Sequence, residues 1–380
     1  MKNILYYSWD EMIKNDAIES LINLGYRVSE YRSAFDKYDF DEKNILSLKK
    51  KIDNDGSKPD AIFSFNYFPD VSRVALEKGI PYFSWVYDNP HLTLESETLE
   101  NETNRVFLFD SNQVEKYRSF GINNIFYSPL PAKIVQNKNK NNNNNYNHDV
   151  TFVGTMYDGD KDQYGLIKNI PDKLKGRLDG IVVAQHLIHG CDIIDGAIKG
   201  IESEIRRYIK TSLGEHYRKS DIDIFSDIMR KRVTMFDRIR TMHILGEKFN
   251  VDLYCEKDHP ELPVKYKGVV ANKDLPTLMN SSKVNLNISL RSIRKGIPLR
   301  VMQILGSGGF CLTDYKEDMD GLFEDGRDIA WFNYEEEMIE KCDYYLKHDN
   351  ERCKIAQSGQ TTAIKKLSYE KLMGDIFNKI

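Results

Sequence analysis

The segment from Asn287 to Tyr315 combines basic side chains, glycines and a helix start in an order that suits a diphosphate. The loop after its strand carries Arg291, Arg294, Lys295 and Gly296. A helix should begin near Pro298, because proline is favourable in a first helical turn. Unpaired N–H groups of a helix start and nearby guanidinium groups together bind phosphate. The alternative is a solvated basic loop before a buried helix, and residue chemistry alone does not separate the two.

Two side chains on the following helix extend this interpretation. Arg300 and Gln303 are three residues apart, so they share a helix face. They are positioned to contact a phosphate and a ribose or sugar hydroxyl, respectively. The helix then ends in a glycine-rich turn with Gly308 and Gly309, which allows close backbone approach. We therefore include both glycines in the candidate phosphate site.

A second group of polar residues follows a buried strand in the stretch SWVYDNPHL. Asp88 or His91 could orient or deprotonate a hydroxyl group. The alternative is a polar turn in which a side chain bonds its own backbone. Trp9, Asn66 and Tyr67 also follow strands and are candidate contacts for a second substrate.

Alternating strands and helices must position these residues. The alternation favours parallel sheets covered by helices, with ligands at the carboxyl ends of the strands. We interpret residues 1–137 as one Rossmann-like domain, 138–148 as an asparagine-rich linker, and 149–365 as a second Rossmann-like domain. A helical insertion is predicted over 161–246. Residues 366–380 are predicted to form a C-terminal helix that packs back on the first domain.

Composition excludes several classes of function. The net charge of −4 gives no reason to expect nucleic acid. The five cysteines lack CxxC spacing, and no stretch has the roughly 18–20 apolar residues of a membrane span, which favours a reduced, cytoplasmic protein. His186 and His189 lack a third ligand, so no metal site is predicted. The basic stretch MRKRVTMFDRIR favours a packed helix over peripheral membrane contact, which stays open.

The chain from Lys283 to Gly359 resembles the C-terminal, glycosyltransferase group 1-like domain of bacterial glycosyltransferases related to the spore maturation protein CgeB. The motifs that carry this resemblance are GIPLR at 296–300, GGF at 308–310, LFEDGRDIAWF at 322–332 and YYLKHDNERCKIAQSG at 344–359. The N-terminal domain of that family is similar to AIFSFNYFPDVS, IPYFSWVYDNPHLT and VFLFDSNQVEKYRSFGINNIFYSPL, and VTFVGTMYDGD resembles the start of the second domain.

The resemblance implies a GT-B fold, in which two Rossmann-like domains face each other, the donor binds the C-terminal one, and neither a metal nor another cofactor is needed. By position, it implies phosphate contacts from Arg291, Arg294, Lys295 and Arg300, a diphosphate loop at Gly154 and Thr155, and base contacts from Tyr254 and Lys267. Related retaining enzymes carry an acidic residue where this chain has Gln303. Glutamine can bind a hydroxyl but brings no negative charge.

The resulting hypothesis is transfer of a sugar from a nucleotide-sugar, UDP-linked by expectation, to a hydroxyl of a glycan, a protein or a lipid-linked carrier. Retention of anomeric configuration is expected from the resemblance. Two alternatives remain at this point. One is a nucleotide-sugar epimerase or a phosphorylase of the same architecture. The other is a non-catalytic binding protein, which the glutamine at position 303 motivates.

Overall fold

The structure is a computed structural model that describes residues 2–33, 40–54, 56, 58–135, 146–165, 167, 169–209 and 216–378. It contains two six-stranded sheets, and all strand pairs within them are parallel. Most of the predicted linker at 138–148 lies outside the described residues, and the second half begins with a strand at His148.

The first sheet has the order β2-β1-β3-β4-β5-β6. Its strands are β1 Asn3–Ser8, β2 Arg27–Arg32, β3 Ala61–Phe65, β4 Tyr82–Val86, β5 Asn104–Leu108 and β6 Ile125–Tyr127. Strands β3 and β4, AIFSF and YFSWV, are buried at every position. Such continuous apolar runs are typical of parallel strands covered on both faces. The helices of this half are α1 Lys14–Asn23, α2 Glu42–Asn54, α3 Pro69–Lys78 and α4 Ser111–Ser119.

The second sheet has the order β12-β11-β10-β7-β8-β9. Its strands are β7 His148–Val153, β8 Val251–Tyr254, β9 Lys265–Tyr266, β10 Ser282–Asn287, β11 Cys311–Asp314 and β12 Ala330–Phe332. The helices after β7 are α5 Asp172–Leu187, α6 Ile194–Lys199, α7 Glu202–Ile205, α8 Asp221–Lys248, α9 Leu275–Asn280, α10 Leu299–Gly306, α11 Glu335–Lys347, α12 Asp349–Leu367 and α13 Tyr369–Phe377. The predicted α/β GT-B architecture is thus confirmed.

Only the first half of helix α8 belongs to the helical insertion. Ser220 caps the helix, and its side chain accepts a hydrogen bond from the backbone of Asp223. The first half of α8 packs with α5 and α6 in a small helical core of its own. Further along, Met242 and Leu245 pack on the second sheet, beside Leu253. The predicted insertion therefore extends too far, because the end of α8 is the crossover helix between β7 and β8.

The chain returns to the first half at its end. Helix α13 packs beside α1, and the ring of Phe377 lies 5.4 Å from that of Tyr26 and 5.1 Å from that of Phe83. One apolar core continues across both halves and includes Trp85 from the first and Ile297 from the second. A helix with the length and apolarity of a membrane span does not occur in the described part of the chain.

Candidate functional site

The strand order gives each sheet a topological switch point, which is the pair of neighbouring strands whose connections run in opposite directions across the sheet. In the first sheet the connections diverge between β1 and β3, and in the second between β7 and β10. Ligands of open α/β sheets bind beyond the carboxyl ends of the strands at such points. Trp9 follows β1, and its indole Nε1 donates to the carbonyl of Phe65 at the end of β3, at 3.1 Å. This hydrogen bond connects the carboxyl ends of β1 and β3 at the first switch point.

Asn66 holds Asp88 at this edge. Asn66 is buried and has a φ of +61°, a left-handed conformation that asparagine tolerates better than most residues. Its Nδ2 donates to Asp88 Oδ2 at 2.7 Å, and its Oδ1 accepts from the backbone N–H of Tyr87 at 3.1 Å. Asp88 itself is exposed. The amide of Asn66 thus orients a carboxylate that remains open to a ligand.

His91 lies beside the backbone of Tyr67. Its Nε2 is 3.2 Å from the Tyr67 carbonyl oxygen and 3.3 Å from the Tyr67 nitrogen. Burial lowers the pKa of His91 from 6.5, so the ring is neutral at pH 7.

The side chain of Tyr67 is in the core, which corrects its prediction as an acceptor contact. It is fully buried, and its hydroxyl lies 2.9 Å from the Thr98 hydroxyl and accepts from Asn104 Nδ2 at 3.2 Å. The rings of Tyr67 and Tyr82 stack at 5.9 Å. The side chain of Asn66 thus lines the cleft, whereas that of Tyr67 packs in the core.

A cavity of about 450 Å³ separates the two halves at this edge. The first half contributes Trp9, Asp88 and His91 to its wall. The second half contributes Tyr157, Lys231 and Leu290. The cavity therefore has room for a small polar group between the candidate base and helix α8.

The cations of the predicted phosphate loop are paired with carboxylates. Arg291 Nε is 2.6 Å from Asp237 Oδ2. Arg294 Nη2 is 3.0 Å from Asp192 Oδ2. The Lys295 ammonium lies within 3.4 Å of carboxylates of Glu115 and Glu317. The chain itself thus neutralises these three charges.

The same loop joins the two halves. The Asp110 carboxylate, at the end of the first sheet, accepts from the backbone N–H groups of Arg294 at 2.8 Å and Lys295 at 3.2 Å. A Cβ at Gly296 would lie 2.7 Å from the carbonyl oxygen of Phe109 and 2.8 Å from Asp110 Cα. Glycine at 296 therefore permits close contact between the halves, which corrects its prediction as a donor contact.

Arg238 spans the second switch point. Its guanidinium donates to the carbonyl of Thr155, after β7, and to that of Ile288, after β10, the latter at 2.6 Å. The group also lies over the ring of Tyr157, 5.1 Å from its centroid. Arg238 is buried, and burial lowers its pKa. Arg238 forms no ion pair with a carboxylate of the described residues, although Asp314 and Asp237 lie near enough to raise its pKa, and its buried Nε has no hydrogen-bond partner there.

Arg300 is the second cation of this region that forms no ion pair among the described residues. Its Nη1 atom is buried and has no hydrogen-bond partner in the described part of the chain. Burial and, next, the nearby Arg238 lower its pKa to about 10. Two guanidinium groups with buried, unpartnered nitrogens, neither in an ion pair with a described carboxylate, form a candidate site for an anion.

The loop of Gly154 and Thr155 lies at this anion site. A Cβ at Gly154 would be 3.5 Å from Arg238 Nη1, and the Thr155 carbonyl accepts from the same guanidinium. Gly154 N–H donates to the carbonyl of Tyr254, which aligns the ends of β7 and β8. The structure thus brings these two predicted residues together at Arg238.

Two other predicted donor residues lie elsewhere. Gly308 and Gly309 precede β11, so they are at the amino edge of the sheet, opposite the switch point. A Cβ at Gly309 would lie 2.6 Å from the Met279 carbonyl, so this glycine serves packing. Lys267 Nζ is 3.6 Å from Asp252 Oδ1. Tyr254 and Lys267 do not line the cavity between the halves, but the carbonyl of Tyr254 accepts from Gly154, and the predicted base contacts of both residues stay a prediction.

Gln303 is one helical turn beyond Arg300 and is partly buried. Its backbone carbonyl accepts from the hydroxyl of Ser307 at 2.7 Å. The predicted contact of its side chain with a ribose or sugar hydroxyl stays a prediction.

Three residues of this site were not predicted from sequence: Arg238, Lys231 and Tyr157. The stretch MRKRVTMFDRIR was interpreted as a packed helix, and its buried side does pack. Lys231 and Arg238 are seven residues apart, two helical turns, so they share one face. This spacing indicates that the two basic residues share a helix face, but nothing in the sequence shows which face of the helix lines the cleft.

Comparisons with known proteins support the fold. Residues 230–378 match the family model described as "Glycosyl transferase-like". Among solved structures, a glycosyltransferase from Rickettsia africae ESF-5 has a TM-score of 0.55 at 11% identity, over 100% of this chain and 97% of the other. Sucrose-phosphate synthase from Thermosynechococcus elongatus has a TM-score of 0.55 at 9% identity, over 100% and 99%. Anabaena HepE in complex with UDP and glucose has a TM-score of 0.51 at 9% identity, over 100% of both chains.

No curated protein sequence matches the chain. The similar solved structures show that the protein has the GT-B fold, and residues 230–378 match a glycosyl transferase-like family model. Both Arg238 and Arg300 lie within the matched residues.

Proposed function

We propose that the protein is a glycosyltransferase that moves a sugar from a UDP-linked donor to a hydroxyl group of an acceptor. The observation that carries the proposal is the pair of guanidinium groups of Arg238 and Arg300 at the second switch point, each with a buried nitrogen that lacks a hydrogen-bond partner and neither in an ion pair with a described carboxylate. A diphosphate is the anion that such a pair suits. The fold supports the choice of donor, since HepE, of the same fold, was crystallised with UDP and glucose.

The reaction follows from the charges. The acceptor oxygen forms a bond to the anomeric carbon of the donor sugar, and the bond from that carbon to the diphosphate oxygen breaks. The electron pair of the broken bond leaves with UDP. Arg238 and Arg300 would stabilise this developing charge from fixed positions, where electrostatic stabilisation is most effective. We propose that they do so without a metal ion, and full activity in excess EDTA is the expected result.

Asp88 is the proposed base for the acceptor hydroxyl. Its carboxylate is exposed toward the cleft, and Asn66 orients it through Oδ2. His91 is the proposed positioning residue of this loop, because its Nε2 already lies against the backbone of Tyr67. Direct displacement with Asp88 as base inverts the anomeric carbon, whereas the family resemblance predicts retention. The anomeric coupling constant of the product, measured by proton NMR, distinguishes inversion from retention.

The acceptor is proposed to be a hydroxyl of a glycan, a protein or a lipid-linked carrier, and the reaction is proposed to occur in the cytoplasm. The CgeB-like subfamily also stays a proposal, supported by the motifs in both halves. Trp9 and Asn66, at the first switch point, are the proposed acceptor contacts on the wall of the cavity.

The test is donor turnover with a panel of nucleotide-sugars, with and without acceptor. We expect hydrolysis or transfer with a UDP-sugar, and Arg300→Ala should lower kcat/KM by about 10–100-fold, as expected for a lost charge-assisted hydrogen bond. Arg240→Ala is the matched control, because Arg240 is on the same helix as Arg238 but is exposed and paired with Glu335 at 2.8 Å.

Three results would contradict the proposal. Equal turnover by Arg300→Ala and wild type would place the phosphate site elsewhere. Conversion of a UDP-sugar to its epimer without acceptor would identify an epimerase. UDP binding by calorimetry without turnover of any donor would identify a binding protein, the alternative that Gln303 motivates.

A further inference from the structure

The cavity between the halves holds a cation that the proposed reaction does not use. Lys231 and Lys219, both from the second half, line this cavity, and Asp88 and Asp227 are its acidic lining residues. The pairing of these four groups determines what the cavity can bind.

Lys219 and Asp227 neutralise each other. Their side chains form an ion pair and are both largely buried, and Asp227 Oδ1 also lies 3.1 Å from Arg230 Nη1. Asp227 is therefore saturated by cations of its own helix and the preceding loop.

Lys231 is different. Its Nζ donates to the amide oxygen of Gln163 at 3.0 Å, and no described carboxylate lies within ion-pair distance. Among the described residues that line the cavity, it is the one lysine with a neutral partner only. An ammonium group has three donors, so two are left for a ligand.

The surroundings of Lys231 favour an anion. Burial lowers its pKa, and so does the neighbouring Lys219, whereas Asp227 and Asp88 act in the opposite direction. A partly desolvated cation that forms no ion pair among the described residues is stabilised by an anionic ligand. Asp88 acts from the facing wall of the cavity, so an anion bound by Lys231 would lie near the proposed base.

Lys231 also lies apart from the anion site for the donor. It is seven residues before Arg238, roughly 10 Å along the axis of α8. Arg238 binds the loops after β7 and β10, whereas Lys231 lines the cavity and contacts Gln163. The two cations of this helix face therefore serve different parts of a bound pair of substrates.

We infer that Lys231 recognises a carboxylate or phosphate group on the acceptor, next to the hydroxyl that Asp88 activates. The inference rests on the proposed glycosyltransferase function and narrows its acceptor to an anionic one, such as a uronic acid or a phosphorylated sugar. Lys231 acts here as a specificity-determining residue.

The experiment uses three probes that differ at C6 of one sugar: p-nitrophenyl β-D-glucoside, the corresponding glucuronide and the 6-phosphate of the glucoside. Binding to the full-length protein is measured by calorimetry in the presence of UDP. We expect the glucuronide or the 6-phosphate to bind about 10-fold more tightly than the neutral glucoside, the size of one charge-assisted hydrogen bond. The better of the two anionic probes shows whether the group is a carboxylate or a phosphate.

Lys231→Met should remove the preference and leave the affinity for the neutral glucoside within about twofold. Lys173→Met is the control, because Lys173 is an exposed residue of α5 outside the cavity, and this variant should keep the preference for the anionic probe. Equal binding of all three probes to wild type, or an unchanged preference in Lys231→Met, would overturn the inference. If UDP itself does not bind, the proposed function fails instead, so the two failures are distinguishable.

Discussion

Replacing Arg300 with methionine should make the unliganded protein more stable and its binding of UDP weaker. Burial and Arg238 lower the pKa of Arg300 from 12.5 to about 10. At roughly 1.4 kcal/mol per pKa unit, this difference corresponds to about 3 kcal/mol of unfavourable free energy for the charged form at neutral pH. Methionine has a similar length and no charge, so it should fill the site without that cost.

The sign of the effect depends on the direction of the pKa difference. The guanidinium is a base whose pKa is lower in the folded protein than in the unfolded chain. At any pH below about 10 its charge therefore disfavours folding, and the penalty is relieved only as the pH rises from about 10 toward 12.5. Because neighbouring groups and water relax around the charge, we expect a gain of about 1–3 kcal/mol in the free energy of unfolding.

Two measurements check this reasoning. Urea unfolding of ligand-free protein gives the free energy of unfolding, and calorimetry gives the Kd for UDP, which should rise by about 10–100-fold in Arg300→Met. UDP should raise the melting temperature of wild type more than that of the variant. Arg240→Met is the control, and loss of its exposed ion pair with Glu335 should change stability by less than about 1 kcal/mol. A less stable Arg300→Met that binds UDP as wild type does would refute the reasoning.

Three further perturbations test other parts of the structure. Gly296→Ala should destabilise the protein by about 1–3 kcal/mol in urea unfolding, because its Cβ would lie 2.7 Å from the carbonyl oxygen of Phe109, whereas Gly180→Ala, with open space around it in α5, should be neutral or stabilising. Asp88→Asn should lower kcat by about 100–10,000-fold with an unchanged Kd for UDP, and a normal kcat would exclude Asp88 as the base. The pKa of His91 is lower in the folded protein than 6.5, so the unfolded chain takes up the proton more readily and stability should fall as the pH drops through 6.5. His91→Gln should remove this contribution, measured by urea unfolding at about pH 7.5 and about pH 5.5, and an unchanged pH dependence would contradict it.

The two sheets could be predicted because their strands have strong local signals. The sequence predicts strands over Asp60–Phe65 and Pro81–Val86, and the structure has β3 at Ala61–Phe65 and β4 at Tyr82–Val86. Both strands are apolar except for one serine each, and a glycine in the left-handed conformation, Gly79, ends the helix between them. Strands buried on both faces leave this pattern regardless of what covers them.

The end of the helical insertion could not be predicted for the opposite reason. Helix α8 is 28 residues long and keeps a helical apolar pattern throughout. Its packing partner changes along its length, from the small helical core around Met229 to the second sheet around Leu245. A periodic pattern shows which side of a helix is buried but not which element buries it.

The anion site could be predicted only in part, since pairing decides which cations remain uncompensated. Arg291, Arg294, Lys295 and Arg300 are equivalent candidates in the sequence. Asp237, which pairs with Arg291, is 54 residues away along the chain, and Glu115, which contacts Lys295, is 180 residues away. Only the fold brings these carboxylates to the loop.

One loop, which carries Arg291, Arg294 and Lys295, both connects the two halves and positions the anion site. Asp110 of the first half binds the backbone of Arg294 and Lys295, and Asp237 of α8 binds the side chain of Arg291. These contacts fix the start of α10 against both α8 and the first half. Arg300 is the second residue of α10, so the same contacts fix its position. Arg238 lies near enough to lower the pKa of Arg300, and the surrounding contacts hold these two like charges in the unliganded protein. We propose that a bound diphosphate relieves their repulsion.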